Sequence, residues 1–303
     1  MSSLTKLVTE THNPRSMNLD QMSAGEILNL MNEENFSIPQ AINKVMPEIE
    51  KAVEAVRQAF MEGGRLFYIG AGTSGRLGLL DAVECPPTFS TDAKIVQAVL
   101  AGGNGALLTA VEGAEDDELL GEEDLKKKEL TNLDVVIGIA ASGRTPYVKG
   151  ALRYARSLGA TAISLTSNPD SEISAFADIP IEVVTGPEIL TGSTRLKAAT
   201  AHKMILNMIS TTSMVKMGKA YKNLMVDVNA SNYKLRERAN KIVQEATGVG
   251  YDSAETVLQE TGYAVKPAIV MLLADATFQE ALQLLDDAKG FVRKAIQKNE
   301  AVN

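Results

Sequence analysis

Between residues 42 and 60 the apolar positions Ile42, Val45, Met46, Ile49, Ala52, Val53, Val56 and Phe60 recur at threes and fours, the stripe of an amphipathic helix. Pro47 interrupts that stripe and is expected to kink or break it, because proline lacks the helical N–H and its ring crowds the preceding turn. Upstream, Ser23 and Glu26 form a capping-box pattern at the head of "SAGEILNLMNEEN", which reads as a short helix, whereas residues 1 to 20 are polar and irregular. After Gly63-Gly64 the period changes and strands alternate with helices. "RLFYIG" reads as a buried strand, Leu77 to Val83 as helix, "KIVQAVLAG" as strand and Asp116 to Lys128 as helix. "DVVIGIAA" follows as strand, then a helix from Pro146 to Leu158 with Thr145 as its N-cap, then strands "ATAISLT" and "DIPIEVVT". This rhythm predicts an α/β fold, a doubly wound parallel sheet that binds ligands at the carboxyl ends of its strands. A long helix is expected from Thr194, as its cap, to Lys219, and from about residue 225 the pattern is helical only, broken at Gly248-Gly250 and Gly262. The expected organisation is an N-terminal arm with helices (1–50), an α/β domain (51–222) and a small helical domain (223–303).

Composition narrows the partners. The 303 residues are 45% hydrophobic and 22% charged, and a formal charge of −8 argues against a nucleic-acid or anionic-membrane surface, which needs clustered Lys and Arg. Cys85 is the only cysteine, so no intrachain disulfide can form and a reducing compartment fits. No apolar run reaches spanning length and the N-terminus has no signal-peptide core, so the expected setting is soluble and cytoplasmic.

The chemistry concentrates at two strand ends. In "YIGAGTSGRLGLLDAVECPPTF", Gly70, Gly72 and Gly75 fit the G-x-G-x-x-G of a dinucleotide loop. That reading requires an acid at the end of the second strand to hold a ribose, and "KIVQAVLAGGNG" ends in Gly and Asn. The third strand instead repeats the first: "IGIAASGRTP" echoes "IGAGTSGRLG", each presenting a serine and free N–H groups before a helix. Such a pair suits one phosphate monoester, which hydroxyls, amides and the helix dipole all favour. Ordinary tight turns, with glycine at positive φ and serine capping a helix, are the alternative. Candidate contacts to that phosphate-bearing substrate are Gly72, Thr73 and Ser74 in the first loop, and Ser142, Arg144 and Thr145 in the second.

"LVTETHNP", "GAGTSGRLGLLDAVECPPTF", "AVEGAEDD", "AASGRTPYV", "GPEILTGSTRLKAATAHK" and "NLMVDVNASNYKL" together resemble, in order, the signatures of the N-acetylmuramic acid 6-phosphate etherase family, within the sugar isomerase (SIS) domain class. "AATAH" at 198–202 varies the family's usual "AGTAQ". The resemblance implies a cytoplasmic homodimeric lyase that splits its phosphosugar substrate with water into N-acetylglucosamine 6-phosphate and D-lactate, with no metal and no other cofactor. It implies a ubiquitin-associated-like tail, and two catalytic glutamates, Glu84 and Glu115.

Chemistry is consistent with that pair. The open-chain aldehyde acidifies the proton on carbon 2, so elimination needs a base for that proton and an acid for the departing lactate oxygen. The resemblance implies Glu115 as base and Glu84 as acid, an order the sequence does not fix. Glu84 also reads as a turn cap, and Glu115, among Glu112, Asp116 and Asp117, as part of an acidic first helical turn or a Mg²⁺ ligand, although no complete ligand set is visible. In "TGSTRLK", Arg195 and Lys197 offer charge to phosphate or carboxylate, and Lys197 is carried as a substrate contact. His12 and His202 lack metal-ligand spacing; His202 reads as a solvated or core-edge residue, or as the base of an isomerase. A non-enzymatic sugar-phosphate sensor is the remaining alternative, and it has no need of two glutamates. The helix over 39–62 and the methionine-bearing long helix are the expected dimer surface.

Overall fold

Leu66–Gly70 (β1) is an uninterrupted apolar run, and all five residues are buried, as a strand covered on both faces must be. The computed structural model describes residues 7–302 except 110, 112, 229 and 231, with the side chains of 104 and 299–302 left aside. Glu112 of the acidic cluster, and Asn229 and Ser231 of the last motif block, therefore lie outside the described residues. β1 is joined by β2 (Val96–Leu100), β3 (Val135–Ile139), β4 (Thr161–Thr166) and β5 (Ile179–Glu182) in a parallel sheet of order β2-β1-β3-β4-β5. Leu66 stands opposite both Val96 and Val135, and Val135 opposite Thr161.

Ahead of the sheet come α1 (Ala24–Asn35), with the Ser23/Glu26 capping box formed, α2 (Ser37–Lys44) and α3 (Met46–Met61). Pro47 breaks the predicted stripe at Val45 and then occupies the first turn of α3, where its missing N–H costs nothing. Between strands run α4 (Gly72–Phe89), α5 (Glu118–Lys127) and α6 (Pro146–Ser157), followed by α7 (Lys197–Lys216). The predicted helix over 77–83 is thus the middle of a longer one that continues through Pro86 and Pro87.

Contacts divide the chain into two compact units, Met1–Val83 with Ala93–Ser210, and Glu84–Asp92 with Thr211–Asn303. The N-terminal arm belongs to the first: Thr9 and Asn13 are buried, and Thr9 exchanges hydrogen bonds with Asn168 beyond β4. The second contains a two-strand hairpin, β6 (Ala220–Tyr221) and β7 (Leu224–Met225), and α8 (Tyr233–Thr247), α9 (Tyr251–Glu260), α10 (Val265–Ala274), α11 (Phe278–Asp287) and α12 (Val292–Val302). Their apolar faces share one core around Val243, Leu258, Ala268, Ile269 and Ala295. Among the described residues no single helix is long and apolar enough to cross a membrane.

Candidate active site at the carboxyl edge of the sheet

With strand order 2-1-3-4-5, successive strands are added to one side of β1 and then to the other, and the crevice at that switch point between β1 and β3 is where such sheets bind ligands. The two Ser-Gly-Arg loops leave the sheet there, side by side. In the first, a Cβ on Gly75 would stand 2.6 Å from the Gly70 carbonyl oxygen, so only glycine lets the first turn of α4 close onto the end of β1. Gly72 turns into the helix at φ +52. The Thr73 and Ser74 hydroxyls make no protein hydrogen bond among the described residues, and the α4 N-terminus lies beside them.

The second loop is braced from β4. The Ala141 carbonyl accepts from Ser167 N at 3.1 Å and Asn168 Nδ2 at 3.0 Å. Gly143, at φ +71, packs so closely that a Cβ would meet Ser171 Oγ at 2.1 Å. Ser142 Oγ accepts from Arg144 N at 3.3 Å, which leaves its hydroxyl proton to donate. Thr145 is the N-cap of α6, as predicted, with Pro146 first in the helix, but its hydroxyl makes no capping bond. The Arg144 guanidinium pairs with Glu172 at 2.9 Å, so its charge is already partly neutralised beside the loop.

Glu115 follows β2 at the same edge, exposed on the single 3-10 turn Ala114–Asp116 that Gly113 opens at φ +77. Two of its neighbours are committed elsewhere. Asp117 caps α5 through the N–H groups of Leu119 and Leu120, and Glu118 pairs with Lys149 and Arg153. The hydrogen bond from Lys149 is the main reason the Glu118 carboxyl titrates below its usual range. Glu115 itself has no hydrogen bond or ion pair among the described residues. Glu84 is likewise exposed on α4, within the part of that helix assigned to the second unit. No group of three or more His, Cys, Asp or Glu suited to a metal is found among the described residues.

At the start of α7 the structure corrects two expectations. Thr194 does not cap the helix; the buried Glu188 carboxylate does, accepting from Lys197 N and Ala198 N at 3.0 Å each. Lys197 is 2% exposed, and its ammonium meets Glu34 at 2.7 Å, within a cluster that includes Arg15. His202 is neither solvated nor at the core edge: it is fully buried, with Nε2 3.0 Å from Ser167 Oγ. Burial pushes its pKa down to about 4, so it is a neutral core residue. Glu188, Glu34 and Asn168 had no local signal in the sequence, because their partners lie between 9 and 163 residues away. Arg76 had one, the repeated Ser-Gly-Arg.

The parallel sheet, with paired Ser-Gly-Arg loops at its switch point, is of the SIS class. Residues 48–156 match the glucokinase regulatory protein N-terminal SIS domain, and residues 118–212 match the SIS domain. Over 293 residues the chain is 58% identical to the N-acetylmuramic acid 6-phosphate etherase of Bacillus cereus (strain AH820), covering 97% of this chain and 100% of that one. The etherase of Bacillus anthracis (strain CDC 684 / NRRL 3495) is 57% identical over the same coverage. The chain belongs to the N-acetylmuramic acid 6-phosphate etherase family and is a carbon–oxygen lyase. Among solved structures it is similar to a phosphoheptose isomerase from Neisseria gonorrhoeae, with TM-score 0.49 and 18% identity, covering 62% of this chain and 97% of that one.

Proposed function

We propose that the chain cleaves the D-lactyl ether of N-acetylmuramic acid 6-phosphate by elimination followed by hydration, with Glu115 as base and Glu84 as acid. The observation that carries this is Glu115: it is exposed on the turn Ala114–Asp116 at the same sheet edge as the two loops, with no hydrogen bond or ion pair among the described residues, whereas Asp117 caps α5 and Glu118 pairs with Lys149. Gly72, Thr73, Ser74, Ser142 and Thr145 hold the phosphate through hydroxyl and backbone donors, and Arg144 adds charge. Lys197 serves the site through Glu34, by fixing the start of α7. Glu115 takes the carbon 2 proton of the open-chain aldehyde, the bond from carbon 3 to the lactyl oxygen breaks, and Glu84 protonates that oxygen. Water then adds to carbon 3 of the unsaturated aldehyde, losing a proton to Glu84 while carbon 2 regains one from Glu115. No metal or other cofactor enters this scheme.

A second copy of the chain is part of the proposal. Glu84 is exposed on α4 beside Leu80 and Val83, and in a homodimer built on that face it is assigned to the partner's substrate. Leu80 and Val83, 47% and 54% exposed on α4, supply apolar surface for a homodimer, together with α3 and α7. A cytoplasmic location, and a functional division into arm (1–50), phosphosugar domain (51–222) and helical tail (223–303), complete the proposal.

Turnover in oxygen-18-labelled water tests the bond that breaks. The label is expected at carbon 3 of N-acetylglucosamine 6-phosphate with unlabelled D-lactate released. Label in the lactate, or binding without lactate release, overturns the scheme.

A further inference from the structure

We propose that Arg76 is a positioning residue that fastens the segment leading to Glu115 onto the phosphate loop; this rests on Glu115 being the base. The two echoed arginines behave differently. Arg144 meets a carboxylate, Glu172. Arg76 instead donates from Nε to the Leu107 carbonyl at 3.2 Å and from Nη2 to the Ala106 carbonyl at 2.8 Å. Both carbonyls belong to the 3-10 turn Gly103–Leu107 that follows β2.

The planar fork of a guanidinium suits two adjacent carbonyl oxygens, and a lysine offers only a point charge there. The turn has little else to hold it: Ala106 is buried, but Leu108, directly after it, is 94% exposed. Downstream, Glu115 is located by Ala114, packed against the sheet core, and by Asp117 at the α5 cap. Upstream, Val111 packs against Gly102 after β2, and the Arg76 fork ties the turn to α4. Arg76 stands two residues after Ser74 in the first turn of α4, so whatever fixes the phosphate loop also fixes the carbonyls of Ala106 and Leu107. Phosphate occupancy and the position of the base are thereby linked through one side chain.

The test compares wild type, Arg76→Met, Arg76→Lys and Glu115→Gln in three measurements. These are carbon 2 deuterium uptake by N-acetylglucosamine 6-phosphate in D₂O, calorimetric affinity for the same compound, and amide hydrogen exchange of peptides covering 103–117. Arg76→Met is expected to slow carbon 2 exchange by about tenfold or more. Its affinity should stay within about threefold, as positioning without ligand contact requires. Amide exchange should rise in the 103–109 peptides alone, and Arg76→Lys should recover part of the rate. A wild-type exchange rate in Arg76→Met, or an affinity loss matching the rate loss, overturns the inference. Should Arg76→Met fail to fold, Arg76→Lys and Arg76→Gln are read by the same criteria. Glu115→Gln separates the two claims: if it retains exchange, the base assignment fails; if it alone loses exchange, only the Arg76 inference fails.

Discussion

His202 illustrates how a single side chain sets pH behaviour far from the chemistry. Fully buried, it titrates near 4 in the folded chain against 6.5 when free, because burial disfavours the imidazolium. Between those values the unfolded chain takes up a proton that the folded chain excludes. The stability it contributes is therefore complete above about 6.5 and is lost as pH falls towards 4, by about 3 kcal/mol at the low end. Glutamine can keep a bond to Ser167 and does not titrate. His202→Gln is expected to lose less stability between pH 7 and pH 5 in urea unfolding, and an unchanged acid dependence would contradict the assignment. His202 has several readings at the level of sequence because burial, which chooses among them, is a property of the packed sheet and α7. The partner of Lys197 was not legible for a related reason: Glu34, which meets its ammonium, is 163 positions away.

At the scale of elements, most helices and strands were legible because their period and punctuation are local. The Ser23 box, the break at Pro47, Pro146 opening α6 and Gly248 closing α8 all act within a turn of themselves. α4 was not legible in full. Proline normally ends a helix, yet Ala82, Cys85 and Phe89 are buried along this one, and that burial offsets the bonds lost at Pro86 and Pro87. The α7 cap was missed because the nearest threonine is the local rule, whereas a buried carboxylate nine residues upstream occupies the helix end. The phosphate loop depends on the same close contact of elements. Gly75→Ala would push a methyl into the Gly70 carbonyl and the Leu100 side chain. It is expected to weaken phosphosugar binding by about tenfold or more while costing about 1–3 kcal/mol of stability, measured by calorimetry and urea unfolding. Unchanged affinity would remove the first loop from the site.

At the scale of the molecule, the α/β class, the helical tail and the two loops were readable from the alternation of strands and helices and from the Ser-Gly-Arg echo. How many chains build one site was not, because no local pattern in the sequence reports a second copy. With Glu84 serving the partner, Glu84→Gln and Glu115→Gln homodimers should each be inactive, yet a mixed dimer should contain one site with both glutamates intact. Unfolding and refolding the two variants together is expected to restore lactate release to a substantial fraction of wild type. No recovery in a verified mixed dimer would put both glutamates in one chain's site.

The most direct test of the account is carbon 2 proton exchange into N-acetylglucosamine 6-phosphate in D₂O, followed by NMR in wild type, Glu84→Gln and Glu115→Gln. Elimination with Glu115 as base predicts exchange in wild type and in Glu84→Gln, and its loss in Glu115→Gln. Exchange lost in Glu84→Gln and retained in Glu115→Gln would contradict the assignment and reverse the roles of the two carboxylates.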